Sequence, residues 1–249
     1  MTPDQYLNLL RTEGLRLAAM PADALSAPVP TVPGWTLERV VRHTGKVHRW
    51  VRATLAAGPD AQLDGAAGIE SLPNGPDCLP AYREALDGLL VELVAHDVER
   101  AAPTFAGPGT IRFWMRRQAH EVAVHRVDAA DAVHAAGGAA PEPVDAEGAA
   151  DGVDEWARLM LARALPTVPP TLHGRSVHLH GTDTSDAEWL LRFTPAGVQV
   201  ESGHGGADVA VRGSAEELLL AMWRRRPLAA LEMSGDVSVA QQLVDAARI

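Results

Sequence analysis

Glu121 and His125 stand one helical turn apart in the stretch RFWMRRQAHEVAVHRVDAADA, and Asp128 follows a turn later. At about 100° per residue, these three side chains fall within about 60° of one another on a helix. Phe113, Met115, Val122, Val124, Val127 and Val133 spread over the remaining faces. A helix apolar nearly all round is a buried one. Ionisable groups in that setting cost several kcal/mol unless they are paired or bind a metal. Two side chains at i and i+4 can reach one ion, as the histidines of H-E-x-x-H do. The same spacing serves a buried Glu–His hydrogen bond or ion pair, and spacing alone leaves both readings open.

A metal needs a third ligand from another segment. His43 shares a helix face with Val40, Val47 and Trp50. His48 lies about 140° away round that helix and cannot easily join the same site. His43 is therefore the candidate third ligand, with a satisfied core histidine as the alternative. Two histidines and one carboxylate would leave an open position, as catalytic zinc sites do. Asp128 is spaced to orient an imidazole from behind. The same set accepts Fe(II), Ni, Co or Mn. His120 points about 100° from Glu121 and reads as structural. Cys78, in a Pro/Gly-rich loop with no adjacent histidine, reads as a spectator thiol. There is no G-x-S-x-G elbow, P-loop or G-x-G-x-x-G. Gly203-His204-Gly205-Gly206 reads as a strand connection rather than a phosphate cradle.

The elements that must position these residues are helical up to about Leu165. Tyr6, Leu9, Leu10, Leu15 and Leu17 mark a first amphipathic helix. The proline-rich run Ala27 to Gly34 breaks it. Thr36 is the expected N-cap of a second helix that runs to about Ala57. A Gly-, Asp- and Pro-rich loop follows, then a third helix over about Ala81 to Glu99. The fourth spans about Thr110 to Ala136, and a fifth runs from near Ala146 to before Pro166. Beyond Thr171 the period changes to two. Ser176–His180, Trp189–Phe193, Val198–Glu201 and Val209–Arg212 read as strands. Helices are expected over Ser214–Arg225, where Ser214 and Glu217 form a capping box, and over Val237–Ala247. The domain boundary is placed at Pro166–Thr171. This gives a helical domain over residues 1–165 and a small α+β domain over 166–249.

Composition excludes several classes. The formal net charge is −10, and the only dense basic run is Arg224-Arg225-Arg226. Neither nucleic acid nor an anionic membrane is an expected partner. One cysteine allows no intrachain disulfide. The N-terminus lacks the order of a signal peptide. No apolar run approaches the ~20 residues that span a bilayer. A cytoplasmic location is expected.

Two segments carry a family resemblance: VPTVPGWTLERVVRHTGKVHRW, and the run around Glu121 quoted above. Together they resemble the mycothiol-dependent maleylpyruvate isomerase family of the DinB-like superfamily. The Pro-Gly-Trp-Thr turn, the Arg-x-x-His-Glu-x-x-x-His-Arg-x-Asp-Ala run and the ending VRGSAEELLLAMWRRRP all occur in that family's order. The resemblance implies a DinB-like four-helix bundle followed by a small α/β C-terminal domain. It also implies a zinc-type site (Zn²⁺ or another divalent metal) on His43, Glu121 and His125. The implied cofactor is mycothiol, whose metal-bound thiolate would be the nucleophile toward a small electrophile. In an isomerase the thiolate adds to a conjugated double bond, permits rotation and leaves; in a transferase the adduct is released. Arg225 is the implied match to a C-terminal arginine that holds a substrate carboxylate, although the family commonly shows Gly-Arg where this chain has Arg224-Arg225. The alternatives are a non-catalytic metal- or ligand-binding protein, and a metal-dependent hydrolase using His48 or Asp128 as base.

Overall fold

In the computed structural model, residues 1–63 and 65–247 are described. They form two compact units, Met1–Glu142 and Pro143–Ile249.

The first unit is a four-helix bundle: α1 (Pro3–Ala18), α2 (Leu37–Ala57), α3 (Cys78–Val94) and α4 (Ile111–Ala135). The starts of α1 and α2 have a local cause. At α1, Thr2 accepts from the backbone of Gln5 and the Gln5 side chain answers, with Pro3 as the first helical residue. At α2, Thr36 accepts from the Arg39 amide. Leu10, Leu17, Val40, Val41, Leu86, Leu89, Trp114 and Val122 are buried between the helices. α3 starts at Cys78 and stops at Val94, so Cys78 belongs to its first turn and not to the preceding loop. The residues that follow form a hairpin absent from the sequence reading, β1 (Ala101–Thr104) with β2 (Gly107–Thr110). Its strands are four residues each and set Pro103 opposite Pro108. A two-stranded ribbon has only edges, where proline is tolerated, and such short strands show no alternation to read. The Trp114 indole donates to the Pro103 carbonyl at 3.0 Å and ties the hairpin to α4.

One ion pair crosses the bundle core. The Arg126 guanidinium of α4 donates to Glu13 of α1, both fully buried. Glu13 also accepts from Arg16 at 2.7 Å, and Arg126 reaches the Glu142 carbonyl.

The second unit begins earlier than the sequence reading placed it. Helix α5 (Ala146–Glu155) packs on α7 (Ala215–Met222), and its Asp154 accepts from the Trp189 indole at 3.0 Å. The buried faces of Ala149, Ala150 and Val153 commit α5 to this unit, so the division falls after Glu142 and not at Pro166–Thr171. α5 continues through a π turn, Trp156–Met160, into α6 (Leu161–Ala164).

The sheet contains β3 (Ser176–Gly181), β4 (Glu188–Thr194), β5 (Gly197–Ser202), β6 (Val209–Gly213) and β7 (Glu232–Gly235), in the order β5-β4-β3-β6-β7. The β3–β6 pair is parallel and the others are antiparallel. Register puts Val177, Leu179, Trp189, Leu191, Val209 and Val211 on one buried face, against α7 and α8 (Val237–Ala246). β7 was not expected from the sequence; it is a short edge strand with one half-buried side chain. α7 ends at Met222, three residues before the expected end. Arg224 there takes φ +62, and the Arg224 and Arg225 amides return to Ala221 and Leu220. This is a Schellman cap whose left-handed position is usually glycine. No helix among the described residues is long and apolar enough to cross a membrane.

Three substitutions test these features. Glu13→Ala leaves Arg126 charged and buried, and should cost about 3–5 kcal/mol. Glu99→Ala removes only an exposed partner of Arg112 and should cost under about 1 kcal/mol. Urea unfolding of the full chain separates the two. Arg224→Gly relieves the left-handed strain and should raise stability by about 1 kcal/mol, read as a higher melting temperature.

Candidate functional site

α2 and α4 lie side by side in the bundle and turn three of the nominated residues toward one point. His43 Nε2 is 3.4 Å from Glu121 Oε1, and His125 Nε2 is 3.4 Å from the same oxygen. The His43 and His125 rings meet edge to face with centroids 5.0 Å apart. One ligating atom from each of the three lies within 4.8 Å of the others.

Two of the three are held from behind. His125 Nδ1 faces Asp128 Oδ2 at 3.0 Å, and Asp128 is fully buried. That contact turns Nε2 inward. Arg117 donates to the second oxygen of Glu121 at 2.9 Å. Helical spacing places Asp128 one turn beyond His125, and its carboxylate meets that ring. Arg117 was missed; its signal was the same i, i+4 spacing to Glu121, on the N-terminal side.

The ionisation of the site follows from these partners. Burial acts to raise the Glu121 carboxyl, but hydrogen bonds from His125 and His43 and the charges of His125 and Arg117 outweigh it. The group is held well below the usual carboxylate range. Burial acts to lower His125, but Asp128 and Glu121 together push it up to about 9.

Trp35 is the second residue the sequence reading missed. It stacks on His125 with planes 10° apart and centroids 5.8 Å apart, and meets His43 edge-on at 5.0 Å. Arg39 lies over its ring at 4.8 Å. The signal was its place one residue before the N-cap Thr36, at the mouth of the helix that carries His43. His43 itself keeps 39% of its side chain exposed, so the site is open to solvent on that side.

The other candidates fall elsewhere. His48 is fully buried, with Nδ1 2.8 Å from Gln118 Oε1 and its ring against Tyr82. Burial lowers it to about 4. His120 is buried against Tyr6. Cys78 is buried, and burial pushes its thiol up to about 11. Arg225 lies in the other unit and donates to the Trp223 carbonyl at 2.8 Å.

A second constellation lies in the C-terminal unit. His178, His180, Glu188 and His204 also bring one ligating atom each to within 4.8 Å of the rest. Its signal was the alternation of His178 and His180 in a strand, which places both on one face. The histidine in the glycine-rich loop was legible, but its target was not.

The fold and the first site together define a class: a four-helix bundle with an inward His/Glu/His set, carried in one chain with a small α+β unit. Residues 7–130 match the Mycothiol maleylpyruvate isomerase N-terminal domain, and residues 147–242 match the MDMPI C-terminal domain. The chain belongs to this family, a family of enzymes. Two solved structures share the fold. The crystal structure of a histidine-to-alanine mutant of the mycothiol-dependent maleylpyruvate isomerase is 13% identical with a TM-score of 0.67. That of the same enzyme without the mutation is 13% identical with a TM-score of 0.62. Each match covers 94% of this chain and 93% of the other. Comparison with curated proteins gives no significant match.

His48 generates a pH prediction. Its ordinary value of 6.5 applies to the unfolded chain, and the folded value is about 4. Between the two, only the unfolded chain takes up the proton, so stability falls as pH drops from about 6.5 to about 4, by about 3 kcal/mol. His48→Gln, which cannot titrate, should flatten this acid limb in urea melts run at stepped pH.

Proposed function

We propose that the chain is a mycothiol-dependent isomerase or S-transferase acting on a small electrophile, with a divalent metal, zinc foremost, held by His43, Glu121 and His125. The carrying observation is the convergence of two imidazole nitrogens on one carboxylate oxygen at 3.4 Å each. The donor set fits a borderline transition metal that keeps an open position. The fit extends outward, because His125 gives its other nitrogen to a buried carboxylate. When bound, such a metal supplies Lewis acidity that lowers the pKa of a coordinating thiol to below neutrality.

The chain's own residues do the rest. Asp128 fixes which His125 nitrogen faces inward, and Arg117 holds the Glu121 carboxylate in the ionised form that ligation requires. Trp35 covers the imidazoles on one side and restricts access by water. No protein thiol competes for the role of nucleophile, since Cys78 is buried and protonated at neutral pH. That favours a sulfur supplied by a cofactor. Arg225 is assigned the substrate carboxylate. The left-handed Arg224 supports that register, because it occupies the position where the family commonly carries glycine.

The hydrolase reading needs a base at the open position. His48 is committed to Gln118, and Asp128 to the far side of His125. The non-catalytic reading would be favoured by a fourth protein ligand, and Asp128 is not within the ligating cluster.

The test is metal content and turnover on chelator-free protein. Zinc-loaded protein should consume a member of an electrophile panel only with mycothiol present. His125→Ala should lose the bundle's equivalent of metal together with turnover, and Asp128→Asn should lose about 10–100-fold in that site's metal affinity or in rate. Ester hydrolysis without thiol, or a metal content in His125→Ala equal to that of the native chain, would refute the assignment.

A further inference from the structure

The sheet of the C-terminal unit has two faces. One is covered by α7 and α8. The register places His178, His180 and Glu188 together on the other, with His180 directly opposite Glu188. A histidine on an uncovered sheet face is ordinarily exposed, yet His178 is buried. What covers it is the connection from β5 to β6. Gly203 leaves β5 at φ +106, a conformation that favours glycine, and its amide donates to the Glu188 carbonyl at 3.0 Å. Two residues on, a Cβ on Gly205 would stand 2.7 Å from Leu190 Cδ2, so the backbone lies directly on the sheet face. Between these glycines, His204 is brought over His178 with the rings perpendicular and centroids 5.0 Å apart.

Four donors result. Glu188 Oε2 is 3.0 Å from His178 Nε2 and 3.1 Å from His204 Nδ1, while Glu188 Oε1 is 3.7 Å from His180 Nδ1. Three imidazoles converge on one carboxylate, each bringing one ring nitrogen that in its deprotonated form offers a lone pair toward the same centre. A cation at the centre satisfies all four. Zn–N and Zn–O bonds of about 2.0–2.1 Å put tetrahedral ligands about 3.4 Å apart, and the Glu188 oxygens stand 3.0, 3.1 and 3.7 Å from the three imidazole nitrogens, on either side of that value, with all four donors within 4.8 Å of one another.

We propose that His178, His180, Glu188 and His204 form a second, independent metal site for a borderline transition ion such as Zn²⁺. Three nitrogens and one oxygen favour Zn, Ni, Co or Cu over Ca or Mg, which take oxygen donors. The ion has a route in, because His180, Glu188 and His204 line an open cavity of about 510 Å³ together with Thr182, Thr184 and Arg212. Arg212 is turned to Glu232 at 3.5 Å, which offsets its charge beside the site. Binding would pin the β5–β6 loop to the sheet. The four ligands all come from the C-terminal unit, so the site does not depend on the bundle's histidines.

The experiment is a zinc titration of the full, untagged chain against a chromophoric chelator, with cobalt(II) absorption as a second readout. The native chain should take about two equivalents, and His180→Ala/His204→Ala and His43→Ala/His125→Ala about one each. His204→Ala alone changes an exposed loop residue, 79% exposed, and should keep the fold while weakening one site at least about tenfold. A metal-dependent rise in melting temperature should survive in the bundle double mutant. If the native chain takes one equivalent and only His180→Ala/His204→Ala abolishes it, the second site stands and the bundle assignment fails. If His180→Ala/His204→Ala and His204→Ala bind zinc as the native chain does, or the native chain binds none, the second site is overturned.

Discussion

Burying charge inside a helical bundle is the constraint on which this architecture depends. α4 is enclosed on most of its surface, yet it carries Arg117, Glu121, His125, Arg126 and Asp128 within twelve residues. Each must be matched, because an unpaired charge there would cost several kcal/mol. The matches are made in two directions. Arg126 reaches across to Glu13 and sets α1 against α4. Glu121 divides its two oxygens, one toward Arg117 and one toward the imidazoles of His125 and His43, which sets α2 against the same helix. One pairing is purely structural, and the other leaves a carboxylate oxygen facing two imidazole nitrogens. The chemistry of the site grows from the requirement that also holds the helices together.

Trp35 shows how a turn can serve that site. The proline-rich segment before α2 ends in Thr36, which caps the helix, and Trp35 before it pairs its backbone with Val29 and Val32. Its side chain is free to fold back over the helix's second turn, where it meets both imidazoles. Capping and covering are thus done by adjacent residues, and the start of α2 fixes the height of His43 beneath the indole.

The two donor clusters obey one rule in two geometries. On α4 the period near 3.6 puts residues four apart on one face, and a second helix supplies the third donor. On β3 the period of two puts His178 and His180 on one face, a cross-strand partner supplies Glu188, and a glycine-permitted loop supplies His204. In each case one element alone supplies part of the set, and neighbouring segments supply the rest.

Local periodicity is therefore what the sequence determined by itself. Residues on one element keep a fixed angular relation, so the alignment of Glu121, His125 and Asp128, the exclusion of His48, and the caps at Thr36 and Ser214 were all legible. The face that His43 shares with Val40, Val47 and Trp50 nominated it as the third donor, the change of period beyond Thr171 marked a second domain, and the family motifs pointed to the same residues and the same plan. Tertiary structure decided whatever depends on partners distant in the chain. It assigned α5 to the C-terminal unit, because burial of Ala149 and Val153 against α7 outweighs sequence proximity to the bundle. It formed the Ala101–Thr110 hairpin, whose prolines hide any strand pattern and whose support is a tryptophan on α4. It also carried His204 onto His178, since the path of a glycine-rich loop is set by the surface it packs on and not by its own residues.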